Sequence, residues 1–148
     1  SSPSWSETLT IDDLVKRNYL YYKKFTNVPF TGEISGIESG SIKNGKIDGE
    51  WLRYFESGQL ESKGNYKEGK LDGVQKEYYE NGLLRSKSNF KKGEPDGIYR
   101  EYHENGLLLC IGNVNGEEDL WKYFDESGNP DKSEESKWID ALIGKYLP

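Results

Sequence analysis
Hydrophobic and polar positions repeat every 24 residues through the middle of this chain. Tyr54, Tyr78 and Tyr102 keep the beat, as do Leu60, Leu84 and Leu108. Gly58, Gly82 and Gly106 stand between them, and Asn65, Asn89 and Asn113 follow. Asp48-Gly49, Asp72-Gly73 and Asp96-Gly97 mark the successive units. Self-similarity at such a period means stacked supersecondary units. Asn-Gly and Asp-Gly pairs between aromatic and aliphatic runs are strong hairpin signals. Each unit therefore predicts two short antiparallel strands, roughly 74–79 and 83–90 in the second unit. The fold class is mainly β: hairpin repeats forming an elongated, curved meander sheet, with short capping helices at both termini.

The turn sets which residues share a face. A two-residue loop at Asn81-Gly82 would place Tyr79 opposite Leu84 and Glu77 opposite Ser86. A three-residue loop over Glu80-Asn81-Gly82, with Gly82 in the left-handed region, pairs Tyr78 with Leu84 and Val74 with Ser88. The second register is preferred because it unites the recurring tyrosine and leucine, and alternation adds Phe90. The expected core stripe is Tyr54, Leu60 and Tyr66, then Tyr78, Leu84 and Phe90, then Tyr102, Leu108 and Val114.

The opposite face carries Trp51, Phe55, Tyr79, Tyr99 and His103, with Arg53, Glu77 and Glu101 between them. Such a row is either second-layer packing or a contact surface. Packing against a terminal helix, or curvature that brings the row inward, is the simpler reading. These five residues are nevertheless the candidate interaction face.

The chain reads as one domain of 148 residues. Residues 1–30 form an N-terminal helix and lead-in strand, and 31–47 a truncated first repeat. Full repeats cover 48–71, 72–95 and 96–117, an irregular hairpin 118–130, and a capping helix 131–148. At the N-terminus, Thr10-Ile11-Asp12-Asp13 has the form of a capping box opening a helix through Leu14, Val15 and Lys16, and 19–25 reads as a strand. At the other end, Trp138, Ile139, Leu142, Ile143 and Tyr146 fall at helical spacing.

Composition narrows the function. Only 33% of residues are hydrophobic, yet aromatics make up 14%, so a few large side chains stabilise a thin sheet. No apolar run approaches the roughly 20 residues of a membrane span. The formal charge of -6 argues against nucleic acid and against anionic lipid, and suits a basic protein partner. Cys110 is the single cysteine and takes the slot of Ser62 and Ser86. Met is absent even at position 1, so the initiating residue was removed with a leader peptide or by choice of the chain's limits. Removal with a leader favours an envelope or secreted location over the cytoplasm.

No constellation of catalytic chemistry emerges. His103 is the only histidine and occupies the position of Phe55 and Tyr79, which makes it a ring in a strand. Zinc needs several His or Cys ligands. Glu56, Glu80 and Glu104 recur beside one turn, and Asp48, Asp72 and Asp96 beside the other, where backbone preferences account for them. Calcium-loop and phosphate-loop patterns are absent. The expectation is a non-enzyme with no catalytic residue, metal ligand or cofactor.

The run Lys67-Glu68-Gly69-Lys70-Leu71-Asp72-Gly73, continuing through Tyr78-Tyr79 and Asn81-Gly82 to Leu84, resembles the MORN-repeat variant. Lys43 to Gly49 and Lys91 to Gly97 repeat its opening. The lead-in from Asp13 through Tyr21-Tyr22 to Thr31-Gly32 is similar to bacterial members labelled YwqK-type antitoxins. Gln75 departs from the pattern, standing where a Trp is usual. The resemblance implies a non-catalytic protein-interaction module, antitoxin-like or immunity-like, that masks a partner. The competing readings are an envelope or secreted glycan binder and a structural protein that self-associates.

Overall fold
Two kinds of turn alternate along the chain, and glycine makes both possible. The computed structural model describes residues 8–115 and 120–131. Asn44-Gly45, Glu68-Gly69 and Lys92-Gly93 each take positive φ at both positions (49° and 79°, 51° and 81°, 52° and 87°). This is the two-residue hairpin turn whose twist matches that of the flanking strands. The other turn has three residues and ends on Gly58, Gly82, Gly106 or Gly128, at φ of 82–87°. It is closed by the N–H of Phe55, Tyr79, His103 or Asp125 donating to the carbonyl four residues on, at 2.8–2.9 Å.

Among the described residues, these turns and a few other loops connect fourteen strands. They are β1 (Thr8–Leu9), β2 (Leu14–Arg17), β3 (Leu20–Lys23), β4 (Gly32–Ile34), β5 (Glu38–Lys43), β6 (Lys46–Tyr54) and β7 (Leu60–Lys67). There follow β8 (Lys70–Leu71), β9 (Gly73–Tyr78), β10 (Leu84–Lys91), β11 (Glu94–Pro95), β12 (Ile98–Tyr102), β13 (Leu108–Asn113) and β14 (Leu120–Tyr123). The large sheet runs β1-β4-β5-β6-β7-β9-β10-β12-β13-β14, with β8 beside β7 and β11 beside β10. From β4 onward it is an antiparallel meander, and β1 lies parallel to β4. Strands β2 and β3 form a separate hairpin.

The three-residue loop and the Tyr78–Leu84 pair occur as the sequence predicts. One residue beyond, the register changes. Ser86 faces Glu77, so Arg85 is a bulge, and Val74 pairs with Asn89 rather than Ser88. The same bulge recurs at Glu61 and Leu109. An extra residue in a period-two strand moves everything after it to the other face. Tyr66, Phe90 and Val114 therefore join the face of Trp51, and the expected nine-residue stripe divides between both faces.

Asp-Gly marks something other than the reversal it suggested. The chain reverses at Glu68-Gly69, and Asp72-Gly73 kinks the outgoing strand. A step of three residues along β7, Lys63 to Tyr66, is matched by five, Leu71 to Lys76. The recurring asparagine holds the kink. Asn65 Nδ2 donates to the Asp72 carbonyl at 3.0 Å, and the Asp72 N–H donates to the Asn65 carbonyl at 2.8 Å. At Asn89 the Asp96 N–H donates to the Asn89 carbonyl at 2.7 Å in the same way, while Asn89 Nδ2 donates to the Asp96 carboxylate at 3.3 Å.

The core lies at the N-terminal end. Leu14, Phe30, Ile34, Ile42 and Trp51 are buried, with Leu9, Ile11, Tyr21, Ile47 and Tyr66 packed around them. The tyrosine–leucine stripe is half-buried instead. The expected N-terminal helix shrinks to a single 3-10 turn, Ile11–Asp13. Asp13 accepts from the N–H and hydroxyl of Thr10, both at 2.9 Å, but Leu14–Arg17 pairs with Leu20–Lys23 as a hairpin. The expected C-terminal helix falls outside the described residues.

Candidate functional site
The registers align side chains into rows across the sheet. On the face of Trp51, one row runs Glu38, Arg53, Ser62, Glu77, Ser86, Glu101, Cys110, Tyr123, each directly opposite the next. The adjacent row pairs Gly40 with Trp51 and Trp51 with Gly64, then Gln75 with Ser88, then Tyr99 with Gly112 and Gly112 with Trp121. Large and small residues alternate along it. A Cβ at Gly40 would come within 2.6 Å of the Trp51 ring, and one at Gly64 within 1.9 Å of Gln75 Oε1. Trp51 and Gln75 thus each lie across a neighbouring glycine.

Gln75 breaks that row chemically. Trp51, Tyr99 and Trp121 are rings, whereas Gln75 brings a carboxamide into the same position. Its Oε1 is buried and lacks a hydrogen-bond partner. A buried acceptor left unpaired costs about 1–3 kcal/mol. In front of it lies a cleft of about 400 Å³ between the β2–β3 hairpin and the sheet, within the usual range for ligand sites. Tyr21, Glu38, Trp51, Arg53, Tyr66 and Glu77 line it, with Tyr19 at its rim.

The electrostatics of the cleft are those of half-dry carboxylates beside rings. Glu38 Oε2 accepts from Trp51 Nε1 at 3.0 Å, and Glu77 Oε2 accepts from the Ser86 hydroxyl at 3.2 Å. Burial raises the Tyr21 hydroxyl above its ordinary range, with the Glu38 charge adding to it. Tyr66 is raised by burial first, then by Tyr21 and Glu38. The Lys16 ammonium sits 5.1 Å from the centre of the Tyr21 ring. Asn18-Tyr19 forms the tip of the hairpin at φ of 49° and 65°. A bulky residue with positive φ is strained, and Tyr19 holds that conformation while 91% exposed.

The five candidate interaction residues share one face but not one environment. Trp51 is only 7% exposed and belongs to the core, so it offers no ring to a partner. Phe55 is half-buried. Tyr79 donates its hydroxyl to the Tyr102 carbonyl at 2.6 Å, in the next unit. His103 does the same for its own neighbour, Nε2 lying 2.9 Å from the Phe124 carbonyl. A carbonyl only accepts, so Nε2 carries the proton. Tyr99 packs edge-on against Trp121 at 5.4 Å and donates to Glu101 at 3.2 Å. Burial, helped by Glu101, pushes the Tyr99 hydroxyl up to about 12. The same two causes push the buried Cys110 thiol up to about 11. These side chains mostly stitch one unit to the next. Among the described residues, no three His, Cys, Asp or Glu side chains converge as a metal site.

Sequence reasoning marked Gln75 only as a departure from the repeat pattern, and passed over Glu38 and Tyr21 as site residues. Gln75 carried a readable signal, being the one amide in a row of rings. The hairpin's return over the sheet had none.

The MORN repeat variant model matches residues 47–68, 71–92 and 95–115. No curated protein matches the chain. Among solved structures, a chain in the crystal structure of accessory secretory protein 1, 2 and 3 in Streptococcus pneumoniae aligns at 14% identity and a TM-score of 0.38. That alignment covers 97% of this chain and 28% of the other, so this chain spans little more than a quarter of that protein's length. The period, the paired turns and the matched units agree: the middle of this chain is a run of three consecutive MORN repeat variants.

Proposed function
We propose that the chain is a non-catalytic protein-interaction module whose cleft at Gln75 receives a cationic side chain of a basic protein partner. Masking that partner, as an antitoxin or immunity protein does, is the role this implies. The observation that carries the reading is the unpaired, buried Oε1 of Gln75. Glu38 and Glu77 supply two more acceptors in the same cleft, and Tyr21 and Tyr66 supply ring faces. Of the cations that share the cleft, Arg53 has its Nε engaged by Glu61 at 3.0 Å, and Lys16 and Lys46 line it as well. A guanidinium brings five donors to such a set and stacks on rings. The net charge of -6 steers a basic partner toward the molecule.

The test is capture from a lysate of the source cells with wild type and Gln75→Trp as baits. Tryptophan restores the ring found in the neighbouring units and takes up room in the cleft, and circular dichroism checks that the variant folds. One protein retained in stoichiometric amount by wild type and lost by the variant is the expected result. Equal retention by both baits contradicts the reading.

A further inference from the structure
The other face of the sheet carries a row that the net charge conceals. Lys63 stands directly opposite Lys76, Lys76 opposite Lys87, and Lys87 opposite Arg100. Four cations thus succeed one another on four adjacent strands, β7, β9, β10 and β12. Like charges directly opposite across strands destabilise a sheet. The chain accepts three such pairs in succession although acids outnumber bases, 26 to 20. Lys63 has Glu50 at 2.7 Å. Lys76 and Lys87, in the middle of the row, have no ion-pair partner among the described residues.

A second row runs beside the first. Tyr78 and Tyr102 lie two residues along their strands from Lys76 and Arg100, and Tyr54 two residues from Leu52, which stands opposite Lys63, so all three share the face of the cationic row. They recur on every second strand and are half-buried, each keeping part of its surface exposed. Strands are spaced about 4.8 Å apart, so the face offers one cation per 4.8 Å and one aromatic ring per ~10 Å.

We infer that this face binds a linear acidic polysaccharide bearing one carboxylate per sugar, laid across the strands along the cationic row. One strand spacing is close to the length of one pyranose ring in an extended chain. Alternate rings of a two-fold chain turn the same side toward the sheet, so the rings and carboxylates that face it recur every ~10 Å, two strand spacings, which suits a tyrosine and a cation on every second strand. Other linear polyanions fit the row less well. In an extended acidic peptide, same-side carboxylates fall about 6.6 Å apart, and a stacked single nucleic-acid strand advances about 3.4 Å along its axis per phosphate, neither of which matches one or two strand spacings. The face is separate from the Gln75 cleft, so the inference stands apart from the function proposed above.

Titration calorimetry with polymannuronate tests it. The controls are poly-L-glutamate, single-stranded oligothymidylate and an uncharged linear glucan. Polymannuronate should bind saturably, more weakly as salt rises, and at least about tenfold more tightly than any control. Lys76→Ser with Lys87→Ser should weaken it at least about tenfold, while Lys76→Arg with Lys87→Arg changes it little, circular dichroism confirming that both variants fold. The inference is overturned if polymannuronate does not bind, if any control binds as tightly, or if the serine pair leaves affinity unchanged.

Discussion
Glycine and glutamine in one row show how a single residue's chemistry reaches the surface. At Gly40 an added Cβ meets the Glu50 carbonyl and the Trp51 ring, both at 2.6 Å, and neither can move easily. At Gly64 it meets the end of the flexible Gln75 side chain. Gly40→Ala should therefore cost about 1–3 kcal/mol by overpacking, and Gly64→Ala clearly less, as urea denaturation will rank them. Gln75→Trp should raise the denaturation midpoint, since it removes an unpaired buried acceptor worth about 1–3 kcal/mol. Alkali gives a further test. Tyr99 rises from 10.0 to about 12 and Cys110 from 9.0 to about 11, so both bind protons more tightly in the folded chain. Above the unfolded values the folded state holds more protons than the unfolded one, so stability falls with rising pH. Their contribution is complete below pH 9 and is lost as pH climbs through about 11 to 12; melting temperatures in that window should drop less in Tyr99→Phe.

Elements differ in how plainly the sequence announces them. The Asn-Gly turn was readable because its asparagine and glycine do separate, visible work. Gly82 supplies φ of 85°, while Asn81 accepts from the Leu83 N–H and donates to the Glu104 carbonyl of the next unit, both at 2.9 Å. Asn81→Ala loses both bonds and should cost about 1 kcal/mol at this exposed site, measurable by the same denaturation. The bulges were not readable. Glu61, Arg85 and Leu109 share no chemistry, so nothing in their side chains marks the residue that flips the rest of the strand. The Asp-Gly kink was misread for a related reason: Asp-Gly suits a reversal as well as it suits a kink, and only the pairing of Asn65 with Asp72 distinguishes them. The Thr10–Asp13 box exists, but strand pairing of Leu14–Arg17 takes over after one turn.

At the scale of the molecule, the repeats were legible from their period, and the location of the core was not. Repetition describes contacts between neighbouring units. The core instead forms where the non-repeating hairpin, β2 and β3, closes on the first strands of the sheet. That closure creates the cleft, with Gln75 from a repeat on one wall and the exposed Tyr19 of the hairpin at the rim. Composition, being an average, concealed the charge of the two faces: carboxylates at Glu38, Glu77 and Glu101 on one, a ladder of cations on the other. A partner whose side chain enters the cleft would pass within reach of Tyr19. Photocrosslinking from benzoylphenylalanine at Tyr19 tests such binding most directly, with Leu107 in a far hairpin turn as the control position. One crosslinked protein is expected from position 19, none from 107, and the product should be lost when Gln75→Trp is added. No product from position 19, or the same product from both positions regardless of Gln75, would contradict it.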